Sequence, residues 1–147
     1  MTTSPTTQAL GPRRRAVIGS LIGSLVGFGA FAALTFGVGW TSMYPMMLVG
    51  IGAGFGAARA ARSSEVMVAI IAVVTGVAVA VAALAALGGL AGLNPFFEEV
   101  TPEATEAIAS APLGVPPVHL LFAGAVTAIA AVLSVVAMRM VPLPDDG

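Results

Sequence analysis

The chain has 147 residues, 58% hydrophobic and 9% charged, with a net charge of −1 and a mean hydropathy of +1.01. A soluble domain carries about 45–50% apolar and about 25% charged residues, so this chain lacks the polar groups to coat a water-facing surface of its size. The near-neutral charge gives no basic field for nucleic acid, and the absence of Cys removes disulfides, thiolate metal sites and cysteine catalysis.

No charged side chain occurs between Arg15 and Arg59, between Glu65 and Glu98, or between Glu106 and Arg139. Each interval is longer than the roughly 20 apolar residues that cross a hydrocarbon core. The sequence therefore predicts an all-α integral membrane protein. The expected architecture is a compact four-transmembrane-helix bundle running up-down-up-down. A short extracytoplasmic surface helix is expected between spans 3 and 4. The spans fall at about 16–38, 44–61, 66–87 and 118–138, forming one transmembrane domain over 16–138.

Residues 1–15 read as a disordered cytoplasmic tail, rich in Thr, Ser and Pro. It ends in Arg13, Arg14 and Arg15, which anchor the first span on the cytoplasmic side. Ala30, Phe31 and Ala32 also fit a signal-peptide cleavage site, but the apolar run continues to Val38, longer than a signal peptide needs. The segment thus reads as a retained span. Gly19, Gly23 and Gly27 recur every fourth residue, flanked by Ser20 and Ser24, and so share one helix face. In lipid, helices associate by close backbone approach, which glycine permits. These three residues therefore predict a packing face.

Residues 39–44 read as a tight connection. Trp40 and Tyr44 suit headgroup depth, where aromatic side chains anchor a span. Ser42 fits a cap, and Pro45 fits a first turn, where its missing N–H costs nothing. The second span carries Gly50, Gly52, Gly54 and Gly56. At about 100° per residue, Gly50, Gly54 and Ala57 share one face, and Gly52 and Gly56 lie nearly opposite. A helix with small residues on both sides can be held by two neighbours, so this span is expected at the centre. Gly52, Gly54 and Ala57 also satisfy a dinucleotide fingerprint, G-x-G-x-x-A. That motif needs a strand before it and an acid about 20 residues on, and no acid occurs there.

Arg59 and Arg62 open a short polar loop with Ser63, Ser64 and Glu65. The third span has two small stripes: Ala72, Gly76, Ala80 and Ala83, then Ala78, Ala82, Ala85 and Gly89. Gly88 and Gly89 are expected to weaken the helix. An acidic outer loop follows over 94–117, with a short helix expected over 102–110 behind Thr101 and Pro102. Glu98, Glu99, Glu103 and Glu106 lack the D-x-D-x-D-G calcium pattern and read as solvated charge. In the fourth span Gly124, Thr127, Ala128, Ala131 and Ser134 form a small face. Phe122, Val126, Ile129, Leu133 and Val136 form a bulky one. Arg139 closes it, and 139–147 form a second cytoplasmic tail.

Four crossings place Arg13, Arg14, Arg15, Arg59, Arg62 and Arg139 inside and the arginine-free loop outside, in accord with the positive-inside rule. Without the second crossing, Arg59, Arg62 and Arg139 would lie outside. Lysine is absent, which points to a GC-rich bacterial genome and hence to the inner (plasma) membrane, multi-pass, with both termini cytoplasmic.

No span interior holds an ionisable residue, the usual mark of an ion path or proton relay. His119 reads as interfacial, one turn into the fourth span. A metal or pH role with Glu98 or Glu99 is the sharper alternative. No nucleophile, base and acid can be assembled, so no enzyme, cofactor or metal is expected. Two functions remain. One is a structural or accessory membrane subunit, packing through Gly and Ala faces into a homo-oligomer or larger complex. The alternative is a small channel or carrier for a neutral or weakly polar solute, with Thr35, Thr75 and Thr127 as its polar path. Such hydroxyls more often bond their own helix at i−4.

Overall fold

The computed structural model describes residues 11–38, 44–63, 65–89 and 117–141. Every regular element among them is helical. Helix α1 spans Pro12–Ala32 and ends in a π-helical turn, Ala33–Gly37. A 3-10 turn, Tyr44–Met46, leads into α2, Met47–Ala61. Helix α3 spans Val66–Gly89 and α4 spans Pro117–Met140. Three stretches are long and apolar enough to cross a membrane: Pro12–Gly37, Val66–Ala86 and Pro117–Met140. Only 28%, 22% and 33% of the residues in their most apolar stretches are buried within the protein, so much apolar side-chain surface is left at least partly exposed. Ile22, Leu25, Val26, Val74, Leu121 and Leu133 are among the exposed side chains.

The helix ends differ from the sequence expectation at three places. Helix α1 starts at Pro12, with Gly11 as its cap, so Arg13, Arg14 and Arg15 sit in its first turn rather than in a tail ahead of it. Proline fits there because its absent N–H has no intrahelical acceptor in any case. Helix α3 continues through Gly88 and Gly89, which do not interrupt it. Glycine lowers helix propensity by only about 1 kcal/mol, and the apolar residues before it carry the helix on. Helix α4 likewise extends to Met140 and takes Arg139 into its last turn. Trp40, Ser42, Glu98, Glu99, Glu103, Glu106, the helix expected over 102–110 and both outer tails (1–10 and 142–147) lie outside the described residues.

Helix α2 ends on Arg62 in the left-handed conformation (φ 53°, ψ 35°), with the Ser63 N–H donating to the Ala58 carbonyl at 3.2 Å. This reverses the chain tightly into α3. The dinucleotide alternative is overturned: Gly52, Gly54 and Ala57 all lie inside α2, and no strand occurs among the described residues.

Glycine sets how the helices meet. A Cβ on Gly19 would strike the Gly56 carbonyl, one on Gly23 the Gly52 carbonyl, and one on Gly27 the Leu48 carbonyl. Helices α1 and α2 therefore run antiparallel in backbone contact. On the other side of α2, Gly50 meets the Thr127 carbonyl and Gly54 meets Ala131, with Ser134 Cβ 2.7 Å from the added atom. Helices α2 and α4 run in the same direction. Helix α3 closes the group: a Cβ on Gly76 would lie 3.0 Å from Ala53 Cβ and 3.4 Å from Thr127 Cγ2. Apolar clusters occupy the two ends. One holds Ala16, Ala57, Val68, Ala72, Ala131 and Val135; the other holds Phe31, Met46, Val49, Ala80, Leu84 and Ala123.

Candidate functional site: glycine faces and buried hydroxyls

The middle of the molecule is built from small residues because each helix presents them at helical spacing. Helix α1 buries Ala16, Ser20, Ser24, Gly27 and Phe31, a spacing of three and four that keeps one face turned inward. Gly19 and Gly23 border this face and touch α2. The opposed placement of Gly50 and Gly54 against Gly52 and Gly56 puts α4 on one side of α2 and α1 on the other. In α3 the stripe of Ala72, Gly76 and Ala80 is buried, whereas Ala78 and Ala82 face outward. In α4 Thr127, Ala131 and Ser134 are buried, and Phe122, Ile129, Leu133 and Val136 are exposed. Gly124 is half-buried, and a Cβ there would meet only Val77 Cγ1, at 3.8 Å.

The three threonines form no hydrogen bonds to one another among the described residues. Thr75 Oγ1 donates to the Ile71 carbonyl at 2.7 Å, the i−4 bond common for helical hydroxyls, and also pairs with Ser20 Oγ. Thr127 Oγ1 reaches the Met46 carbonyl at 3.5 Å, the long limit of a hydrogen bond. Ser134 Oγ donates to its own helix, to the Ala130 carbonyl at 2.7 Å. Thr35 lies in the π-helical turn, 4% exposed. Neither Thr35 Oγ1 nor the buried Ser24 Oγ has a hydrogen-bond partner among the described residues.

Ser20 and Ser24 are the buried polar residues that inspection of glycine alone passes over. They carry a legible signal: with Ala16, Gly27 and Phe31 they fall at helical spacing on one stripe. Burying hydroxyls in an apolar interior favours pairing, and Ser20 meets this demand through Thr75 across the α1–α3 contact.

The charged residues among those described gather at one end. Arg13, Arg14 and Arg15 begin α1, Arg59 and Arg62 end α2, and Arg139 ends α4; all six are exposed. The helix directions bring these ends together, as the Gly19–Gly56 contact shows for the first two. A crevice lined by Pro12, Arg13, Ala61, Ser63, Glu65 and Val68 joins them to the start of α3. The opposite end carries aromatics: Tyr44 meets Phe122 edge-on, with ring centroids 5.7 Å apart. His119 is half-buried there, in the first turn of α4. Among the described residues no three acidic or histidine side chains cluster as a metal site would require. A search of protein-family models, curated proteins and solved structures finds no match to this chain.

Proposed function

We propose that the chain is a four-crossing inner-membrane protein with both termini in the cytoplasm, acting as a non-catalytic structural or accessory subunit. Its length supports the second crossing. The 15 residues of α2 rise about 22 Å, and the 3-10 turn before it adds about 6 Å. Together they approach the hydrocarbon thickness of about 30 Å. The gathering of six arginines at one end supports the same topology, since basic residues are retained on the cytoplasmic face.

The exposed stripe of Ala78 and Ala82 carries the accessory reading. The glycine faces of α1 and α2 are taken up within the chain. Helix α3 turns Ala78 and Ala82 outward in its second half, following the exposed Val66, Ile70 and Val74 of its first half. Small residues at a lipid-facing position allow a second helix to approach closely. The occupant on this reading is another copy or a larger membrane complex. The transport reading draws less support, because Thr75 bonds Ser20 and the Ile71 carbonyl while Thr127 bonds the Met46 carbonyl.

Crosslinking in native membranes tests the reading. A photo-reactive residue at Ala82 is expected to trap a partner, and Ala82→Phe to abolish the product without unfolding the chain. A monomer in mild detergent, with no crosslink in native membranes, would end the accessory reading. Solute flux through liposomes that stops when Thr35, Thr75 and Thr127 all become Val would replace it with transport. A reporter fused after Ser64 that is active outside the cytoplasm would overturn the topology.

A further inference from the structure

Helix α1 rests on its neighbours through a pattern that repeats every four residues. Gly19 fits against the Gly56 carbonyl, Gly23 against that of Gly52 and Gly27 against that of Leu48, and a Cβ at any of the three would strike it. On the adjoining face Ser20 pairs with Thr75 of α3. Ser24, one turn on and 0% exposed, has no hydrogen-bond partner among the described residues. Four residues turn a helix through about 400°. A helix therefore nearly superimposes on itself after a screw displacement of about 6 Å. Displaced in this way toward the arginine end, α1 would set Gly23 against Gly56, Gly27 against Gly52 and Ser24 beside Thr75. The glycines and the hydroxyl pair thus accommodate two registers.

We propose that the register of α1 is set by the residues that bracket this ladder, Phe28 and Phe31 above it and Arg15 below it, and not by the glycines. In the displaced register Phe31 would take the place of Gly27, where even a Cβ meets the Leu48 carbonyl. Phe28 would take the fully buried place of Ser24. In the present register Phe31 is instead buried with Met46, Val49, Ala80 and Leu84. Phe28 packs against that cluster, its ring centroid 6.0 Å from that of Phe31. Displacement the opposite way is closed by Arg15, which would enter the place of Gly19 against the Gly56 carbonyl, while Ala16 would replace Ser20 beside Thr75. Packed helices switch between discrete arrangements, one-turn displacements among them, rather than deforming continuously. Phe28 and Phe31 are therefore positioning residues: they leave α1 one register of the two that its small residues permit. The inference holds whichever face of the membrane the arginines occupy.

Disulfide trapping of the full chain in membranes tests this, because the chain has no Cys of its own. Ser20→Cys with Thr75→Cys reports the present register, and Ser24→Cys with Thr75→Cys the displaced one. A one-turn offset separates them, beyond the reach of a disulfide, whose Cβ atoms lie about 3.5–4.5 Å apart. With both phenylalanines in place the first pair is expected to close and the second to stay at background. Phe28→Ser with Phe31→Gly is expected to raise the second pair to at least about a tenth of the first, the two registers then differing by about one interhelical hydroxyl contact. Phe28→Ser with Phe31→Ala loses the same two rings but keeps the Cβ that the Leu48 carbonyl excludes. It is expected to close the first pair alone. A second pair that closes in the native chain overturns the proposal. So does one that closes alike in the Gly and Ala variants, which is loosening rather than a change of register. An Ala variant without the first pair overturns it, as does a Gly variant that keeps the first pair alone or forms neither.

Discussion

The α1–α2 and α3–α4 contacts solve one problem in two ways. Across α1–α2, Gly19, Gly23 and Gly27 bring backbone against backbone, with Gly52 and Gly56 answering. Across α3–α4 neither Gly76 nor Gly124 brings backbone against backbone: a Cβ on Gly124 would meet Val77 Cγ1 at 3.8 Å and one on Gly76 would meet Thr127 Cγ2 at 3.4 Å, both side-chain atoms, and an open groove lined by Ile70, Val73, Val74, Val132 and Val136 remains. Lipid tails are as apolar as valine, so apolar surface alone does not draw helices together in a bilayer. Close approach does, through dispersion summed over many atoms. The first contact is therefore expected to be rigid and intolerant, the second adaptable.

That contrast can be broken most sharply at Gly23 and Gly52. Leucine at either position must displace a facing carbonyl that belongs to a helix and cannot rotate away. Each change is expected to cost more than about 3 kcal/mol, beyond the usual range for overpacking, measured by unfolding in mixed micelles. Wild-type stability in both variants would show that α1 and α2 do not pack as described. Gly54→Leu comes next, at about 2–3 kcal/mol. It collides with Ala131 and Ser134, but α4 can yield toward the looser α3 side.

Ser20→Ala should cost about 1 kcal/mol or less. It removes the α1–α3 hydroxyl pair but leaves Thr75 bonded to the Ile71 carbonyl. A loss as large as that of Gly23→Leu would mean the hydroxyls, not the glycines, hold the waist. The smallest effect has the opposite sign. At Gly124 a methyl meets only Val77 Cγ1, at 3.8 Å. Gly124→Ala is therefore expected to stabilise by up to about 1 kcal/mol through helix propensity, seen as a higher melting temperature in detergent. Destabilisation there would mean that α3 and α4 are as tightly fitted as α1 and α2.

Much of this was legible in the order of residues. The intervals without charge marked the apolar helices because an ionised group in hydrocarbon is too costly to be scattered at random. The angular separation of Gly50 and Gly54 from Gly52 and Gly56 announced two contact faces on α2. Which helix meets which face was not legible, since that depends on crossing angles set by all four helices together. The helix start at Pro12 was hidden because three arginines read as solvent-exposed tail as easily as first turn. The serines at 20 and 24 stood beside the glycines and were overshadowed by them. The i−4 bond of Thr75 to the Ile71 carbonyl follows the expectation for a helical hydroxyl, but its pairing with Ser20 and the reach of Thr127 to the Met46 carbonyl were out of reach, because a cross-helix partner depends on rotamer and neighbour rather than on spacing.

The double-sided grip on α2 has a consequence for synthesis. Its Gly52 and Gly56 side can be covered by α1 as soon as both helices leave the ribosome, yet the α4 contacts of its Gly50 and Gly54 side form only after α4, the last of the four described helices in chain order, is made. A ribosome stalled before residue 117 would leave that side of α2 without its α4 partner, a notch open to whatever inspects nascent chains.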